Sequence, residues 1–260
     1  MPDPVPLAFD PEREEAELRA YLGDEYDRAR LERHRHVLAQ EVAEVGDEHK
    51  LYRTSNAYLY DLTAFAMSGA KRPYLDALTS VVAPGSRVLD YGCGIGSDGL
   101  LLLDAGYRVE FADFDNPSTA YLRWRLEQRS IDAPVHDLDG DVPGGFDAAY
   151  SFDVIEHVPD AFAFLAELER RAALVEVNLL EFEPNEQELH YEIPIADVLS
   201  HAARAGLESY RVYHGSSHLV LYRPGRVGTA RRLRNLARVE AERLRRRRER
   251  ERLAEDARPS

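Results

Sequence analysis

The stretch Val88-Leu89-Asp90-Tyr91-Gly92-Cys93-Gly94-Ile95-Gly96-Ser97-Asp98-Gly99 decides how the chain folds. Arg87 to Asp90 reads as a buried strand, and the glycine-rich turn after it opens an apolar helix through Leu100, Leu101, Leu102 and Leu103. Glycines at alternate positions let the backbone turn tightly and approach a ligand with no Cβ in the way. The free N–H groups at the start of the helix then face that ligand. A strand, a glycine turn and a helix in this order make a nucleotide-type cradle at the carboxyl end of a first strand.

Two fingerprints fit the turn. Gly94-x-Gly96-x-x-Gly99, with Asp113 about 20 residues further on, fits the dinucleotide pattern of NAD-binding proteins. Asp90-x-Gly92-x-Gly94-x-Gly96 resembles motif I of the class I S-adenosylmethionine-dependent methyltransferases, in which an acidic residue ends the strand. The downstream chain favours the second. Phe146 to Asp153 reads as a fourth strand, and Val154-Ile155-Glu156-His157-Val158 after it is similar to that family's post-strand-four segment. A dinucleotide dehydrogenase has no need of it. Leu207–Tyr213 and His218–Tyr222, joined by His214-Gly215-Ser216-Ser217, read as a hairpin. An antiparallel ending to a parallel sheet is typical of the same class. The resemblance covers residues 80–223.

It implies an α/β fold: a doubly wound, mostly parallel seven-stranded sheet with an antiparallel C-terminal hairpin. Three regions are expected: an N-terminal helical segment or lid (1–80), the S-adenosylmethionine-binding methyltransferase domain (81–223) and an Arg-rich charged tail (224–260). Asp10-Pro11 starts a helical stretch running to about Val45, with a break at Gly23-Asp24. Further strands are expected at 107–113, 133–137 and 173–180, with helices at 117–129, 161–171 and 195–205, the last capped by Gly206.

Charge divides unevenly. Residues 224–260 carry 13 Arg against 6 acidic residues, a net of +7; residues 1–223 keep 20 basic and 41 acidic groups, a net of -21. An acidic body repels polyphosphate, so nucleic acid is not expected as the main substrate. One cysteine excludes an internal disulfide and a cysteine-cluster zinc site. No run approaches the roughly 20 apolar residues that span a bilayer, and the Pro-rich start lacks the features of a signal peptide, so a cytoplasmic location is expected. The tail's Leu233, Leu236, Leu244 and Leu253 are too sparse for a core face and read as a solvated helix.

Carried over residue by residue, the resemblance assigns Asp90 and the backbone of Gly92 and Gly94 to the methionine end of the cofactor. Gly96 permits the turn into the helix. Asp113 takes the ribose hydroxyls and Asp137 the adenine amino group, with Phe114 and Leu138 on the adenine faces. Ser151 and Phe152 line the floor beneath the sulfonium. Tyr52, Tyr58 and Tyr60 fall in a stretch with several hydrogen-bonding groups just before the cradle. Aromatics with polar tips suit a wall closing over a polar ligand, so these three are lid or substrate candidates; packing the helices onto the sheet is the alternative.

A sulfonium methyl is already a strong electrophile, so the enzyme must hold a nucleophile in line and help remove its proton. His157, at the helix start after strand four, and His190, after strand five, are the candidate bases or anchors. Asp153-x-x-Glu156-His157 resembles the metal site of ubiquinone-biosynthesis O-methyltransferases, but Asp stands where that pattern has Glu, and no metal is expected. Asp139 and Asp141 read as solvated loop acids. A small-molecule acceptor is expected, O-methylation ahead of other targets. A protein or peptide acceptor docking through the terminal helices, and a non-catalytic cofactor-binding scaffold, stand as alternatives; the oligomeric state is left open.

Overall fold

The computed structural model describes residues 7–46, 48–181 and 190–256, and the chain divides into two compact units, Met1–Ser151 and Phe152–Ser260.

The first unit begins with helices. Asp10 accepts the Arg13 N–H and Pro11 takes the first helical position, starting α1 (Pro11–Leu22) as expected. Gly23 ends it in a left-handed turn, so the break falls where the sequence puts it. Next come α2 (Arg28–Glu32), α3 (His34–Val45), α4 (Glu48–Thr54), α5 (Ala57–Ser68) and α6 (Arg72–Thr79). Leu18, Leu31 and Leu59 pack with Ile95 and Tyr121 in one buried cluster, joining helices to cradle. Each such side chain contributes about 1.5–3 kcal/mol when fully buried.

Then follow β1 (Arg87–Tyr91), α7 (Ser97–Asp104), β2 (Arg108–Asp113), α8 (Pro117–Gln128), β3 (Val135–Asp137) and β4 (Ala148–Ser151). These strands lie in the order β3-β2-β1-β4, and their pairs are parallel. The register sets Asp113 beside Asp137 and Asp90 beside Tyr150, so the carboxyl ends of the strands gather acidic and phenolic groups.

The second unit holds a short 3-10 turn (Ile155–His157), α9 (Ala161–Arg171), β5 (Val175–Leu180), α10 (Ile195–Arg204), β6 (Gly206–Tyr213), β7 (Ser217–Arg223) and α11 (Thr229–Asp256). β7 lies between β5 and β6 and is antiparallel to both. The mixed α/β class, the seven strands and the antiparallel ending therefore agree with the sequence reading. Two local expectations fail. Strand four ends at Ser151, because Asp153 turns into the left-handed region (φ 57) to pair with Asn178. Gly206 does not cap α10 but opens β6, where a Cβ would meet the Arg223 carbonyl at 3.3 Å.

The tail also differs from expectation. Leu233 and Leu244 face solvent, but Asn235, Val239 and Glu242 are buried against the unit. The Asn235 amide donates to Ala203 O and Ala205 O, satisfying carbonyls that the end of α10 leaves open. A polar side chain makes the contact, so counting leucines misses it. Among the described residues, no helix is long and apolar enough to cross a membrane.

Candidate functional site

The cradle is a run of left-handed glycines. Gly92, Gly94 and Gly96 have φ of 76, 53 and 72, and Gly92 N–H is held by Ala112 O at 2.8 Å. At Gly96 a Cβ would lie 2.4 Å from Leu122 Cδ1; at Gly99 it would lie 2.3 Å from Phe111 and 2.9 Å from Asp90 Oδ2. Glycine at these places lets α7 start directly against the sheet.

Asp113 closes β2 and is buried. Its Oδ2 accepts Gly94 N–H at 2.7 Å and the Tyr52 hydroxyl at 2.9 Å, and its Oδ1 accepts Phe114 N–H at 2.7 Å. Burial pushes this carboxyl up while the three donors and Arg53 pull it back, and the same burial beside Asp113 drives the Tyr52 phenol well above its ordinary value. Asp137 sits next to Asp113 at the end of β3, its Oδ1 accepting Asp139 N–H at 3.0 Å, and Leu138 N–H donates to Asp113 O. The Arg53 guanidinium lies 4.2 Å over the Phe114 ring and pairs with Asp139 at 2.8 Å. Asp139 is therefore an ion-pair partner and not merely a solvated loop acid.

Asp90, next to last in β1, is buried, and among the described residues its Oδ2 has no hydrogen-bond partner. Burial pushes its carboxyl up to about 8, with the Asp98 charge adding and the Tyr150 hydroxyl and Lys71 opposing. A buried carboxyl of this kind suits an ammonium group, such as the amino end of a methionine. Beside it, Lys71, Cys93, Ser97 and Asp98 line a cavity with Leu62 and Phe65. Ser151, at the end of β4, donates to Tyr91 O at 2.6 Å.

The tyrosine segment divides. Tyr52 reaches Asp113, and Tyr58 stands edge-on to it at 5.0 Å. Tyr60 does not join them. It is buried under the helices, where its hydroxyl accepts Asp27 N–H at 2.9 Å and donates to Glu25 O at 3.2 Å. The packing alternative holds for Tyr60 because a hydroxyl spent on backbone cannot serve a ligand.

In the second unit, Phe152 is buried, and the His157 and His190 rings meet at 4.8 Å. They come together because Tyr191 N–H donates to Glu156 O at 2.7 Å, drawing the chain after β5 onto the 3-10 turn. Asn178 donates to Asp153 Oδ1 at 2.6 Å and accepts its N–H at 2.8 Å. Alongside, Ile155, Pro159, Phe162, Tyr191 and Ile193 form a groove with an aromatic rim.

Sequence reasoning missed Arg125. It is fully buried on α8, bonding Glu14 and Glu17 of α1 at 2.7 Å each, Ser97 Oγ at 2.8 Å and Ile95 O at 2.9 Å. The signal was available. Arg125 shares a helical face with Tyr121, Leu122 and Leu126, where a charge has no place unless it is paired.

A family model described as "Methyltransferase domain" matches residues 30–206. The chain belongs to this family, within the class I S-adenosylmethionine-dependent methyltransferases. A ubiquinone biosynthesis O-methyltransferase of Xanthomonas campestris is 34% identical over 97 residues, which are 35% of this chain and 41% of that relative. A cypemycin N-terminal methyltransferase of Streptomyces is 35% identical over 92 residues, 35% of each chain. The chain thus matches less than half the length of either relative. In fold it is similar to the PH0226 protein of Pyrococcus horikoshii (17% identity, TM-score 0.51, 67% of this chain and 95% of that one). An O-methyltransferase family protein of Burkholderia thailandensis is also similar (12% identity, TM-score 0.52, 76% and 72% covered).

Proposed function

We propose that the chain transfers the methyl group of S-adenosylmethionine to a small-molecule acceptor, at oxygen. The cofactor supplies an activated methyl on its sulfonium; the rest falls to the chain. The observation that carries the reading is the juxtaposition at Asp113: a strand-end carboxylate fixed by Gly94 N–H inside a left-handed glycine turn. A carboxylate so placed can accept both hydroxyls of a ribose. Asp90 would hold the amino end, the cradle N–H groups the carboxylate, and Asp137, Phe114 and Leu138 the adenine, with residues 81–223 forming the transferase body.

His157 and His190 are the proposed proton acceptors. Two imidazoles in contact can take an acceptor's proton near neutral pH and pass it outward. The target oxygen is supported by the likeness to a protein named as an O-methyltransferase. The likeness to an N-terminal methyltransferase favours a second reading, a peptide amine as acceptor. Calorimetric titration with S-adenosylmethionine, S-adenosylhomocysteine and NAD comes first, then a labelled-methyl screen over phenols, carboxylates and peptides. Binding of NAD alone sinks methyl transfer, and label on peptides only sinks the small-molecule acceptor.

A further inference from the structure

Asp113 has less room for a ribose than its position suggests. An ionised carboxylate offers about four lone-pair directions, and in this structure Gly94 N–H, Phe114 N–H and the Tyr52 hydroxyl take three of them. Both hydroxyls of a ribose need two. One donor must leave. The Gly94 and Phe114 donors are backbone of the cradle and of the turn after β2, fixed by the sheet. Tyr52 alone is a side chain, and it is carried by a short helix, α4, of seven residues.

The neighbouring residue on that helix repeats the pattern. Arg53 covers the Phe114 ring at 4.2 Å, the face assigned to adenine, and is anchored there by Asp139 at 2.8 and 3.3 Å. A guanidinium stacked on an aromatic face occupies the slot that a planar base would use. One helix therefore fills both the ribose and the adenine positions, with a hydroxyl for a hydroxyl and a planar cation for a planar ring.

We propose that α4 is a latch on the cofactor site, in which Tyr52 stands in for a ribose hydroxyl and Arg53 for the adenine. S-adenosylmethionine binds by displacing both contacts together. The latch satisfies Asp113 and shields the cradle when no cofactor is held, and it lowers the apparent affinity by the fraction of molecules in which it is closed. The inference rests on Asp113 being the ribose ligand.

The test separates the two. S-adenosylhomocysteine affinity and binding kinetics are measured on the full chain, on Tyr52→Phe and Arg53→Ala, and on Asp113→Asn. The latch requires Tyr52→Phe to tighten binding about fivefold, the worth of a net hydrogen bond. The gain should fall in the association rate, because opening precedes docking, and Arg53→Ala should shift the same rate in the same direction. If Asp113→Asn weakens binding but Tyr52→Phe weakens it or leaves it unchanged, the latch is overturned and the ribose site stands. If Asp113→Asn changes nothing, the ribose assignment fails and the latch with it.

Discussion

Arg125 and Glu14 lie 111 positions apart in the chain and 2.7 Å apart in the fold. The guanidinium is fully buried, and its other donors reach Glu17, Ser97 Oγ and Ile95 O, so a single side chain ties α1 to the turn of the cradle. Ser97 closes the ring by donating to Glu14 Oε2 at 2.8 Å.

Removing the arginine takes the buried cation from Glu14, whereas Glu17 keeps Arg129 at 2.8 Å. Arg125→Met should lower unfolding free energy by about 3–5 kcal/mol, the usual penalty for breaking a buried pair from one side. Glu14→Gln, which keeps a hydrogen-bonding group, should cost less. Urea denaturation measures both, and equal losses would show that the charge plays no part.

Gly96→Ala adds a Cβ where φ is +72 and Leu122 Cδ1 stands 2.4 Å away. Backbone strain alone should cost about 1–3 kcal/mol, and the displaced Leu122 opens the packing beneath the cradle. Both the melting temperature and cofactor affinity should fall. A variant that melts like the parent and binds normally would mean that the turn is far more yielding than its geometry indicates.

Asp113→Asn weakens the proposed charged hydrogen bonds to the ribose. S-adenosylhomocysteine binding should weaken by about 1–3 kcal/mol, while S-adenosylhomocysteine and S-adenosylmethionine stay in the same order. Calorimetry reads the change directly.

Asp90 gives the site a pH signature. Its carboxyl is pushed up to about 8 in the free protein, chiefly by burial. An ammonium placed against it favours the ionised form, so below that pH cofactor binding must release a proton. Affinity should therefore rise with pH, by at most about tenfold per unit, and level off above 8. The same shift acts on stability with a fixed sign. A carboxyl raised in the folded state contributes stability that is fully present below its unfolded value of 3.8 and is lost as pH rises through about 8. In Asp90→Asn the pH dependence of binding should disappear. If the slope survives, another group carries it.

His190→Gln should leave S-adenosylhomocysteine affinity intact and lower the rate of transfer by about 10²–10⁴-fold if the imidazole is the base. His157→Gln should produce the same loss if the two rings act as a relay. Unchanged turnover in both would return the pair to a packing role.

The cradle was legible because glycine periodicity and strand-end acids are local features: Gly92, Gly94, Gly96, Asp90 and Asp113 need only their immediate neighbours to be read. Helix boundaries at Asp10-Pro11 and Gly23 were legible for the same reason. Tyr52 and Tyr60 were not separable, since they differ only in what stands opposite: Asp113 for one, the backbone of Glu25 and Asp27 for the other. Those partners lie 61, 35 and 33 positions away, beyond the reach of spacing rules. Asn235 escaped for a related reason. Nothing in an Arg-rich run announces that one asparagine will meet the open carbonyls at Ala203 and Ala205.

That asparagine belongs to α11, the helix that follows β7. Among the described residues β6 pairs with β7 alone, so its other side is an edge of the kind that recruits strands from other chains. α11 lies beside it, and Arg238 donates to Glu208 O at 2.9 Å, at the bulge of that strand. Without α11 that border stays open. A chain cut near Pro224 would keep its cradle and uncover the border of β6 that α11 and Arg238 now cover.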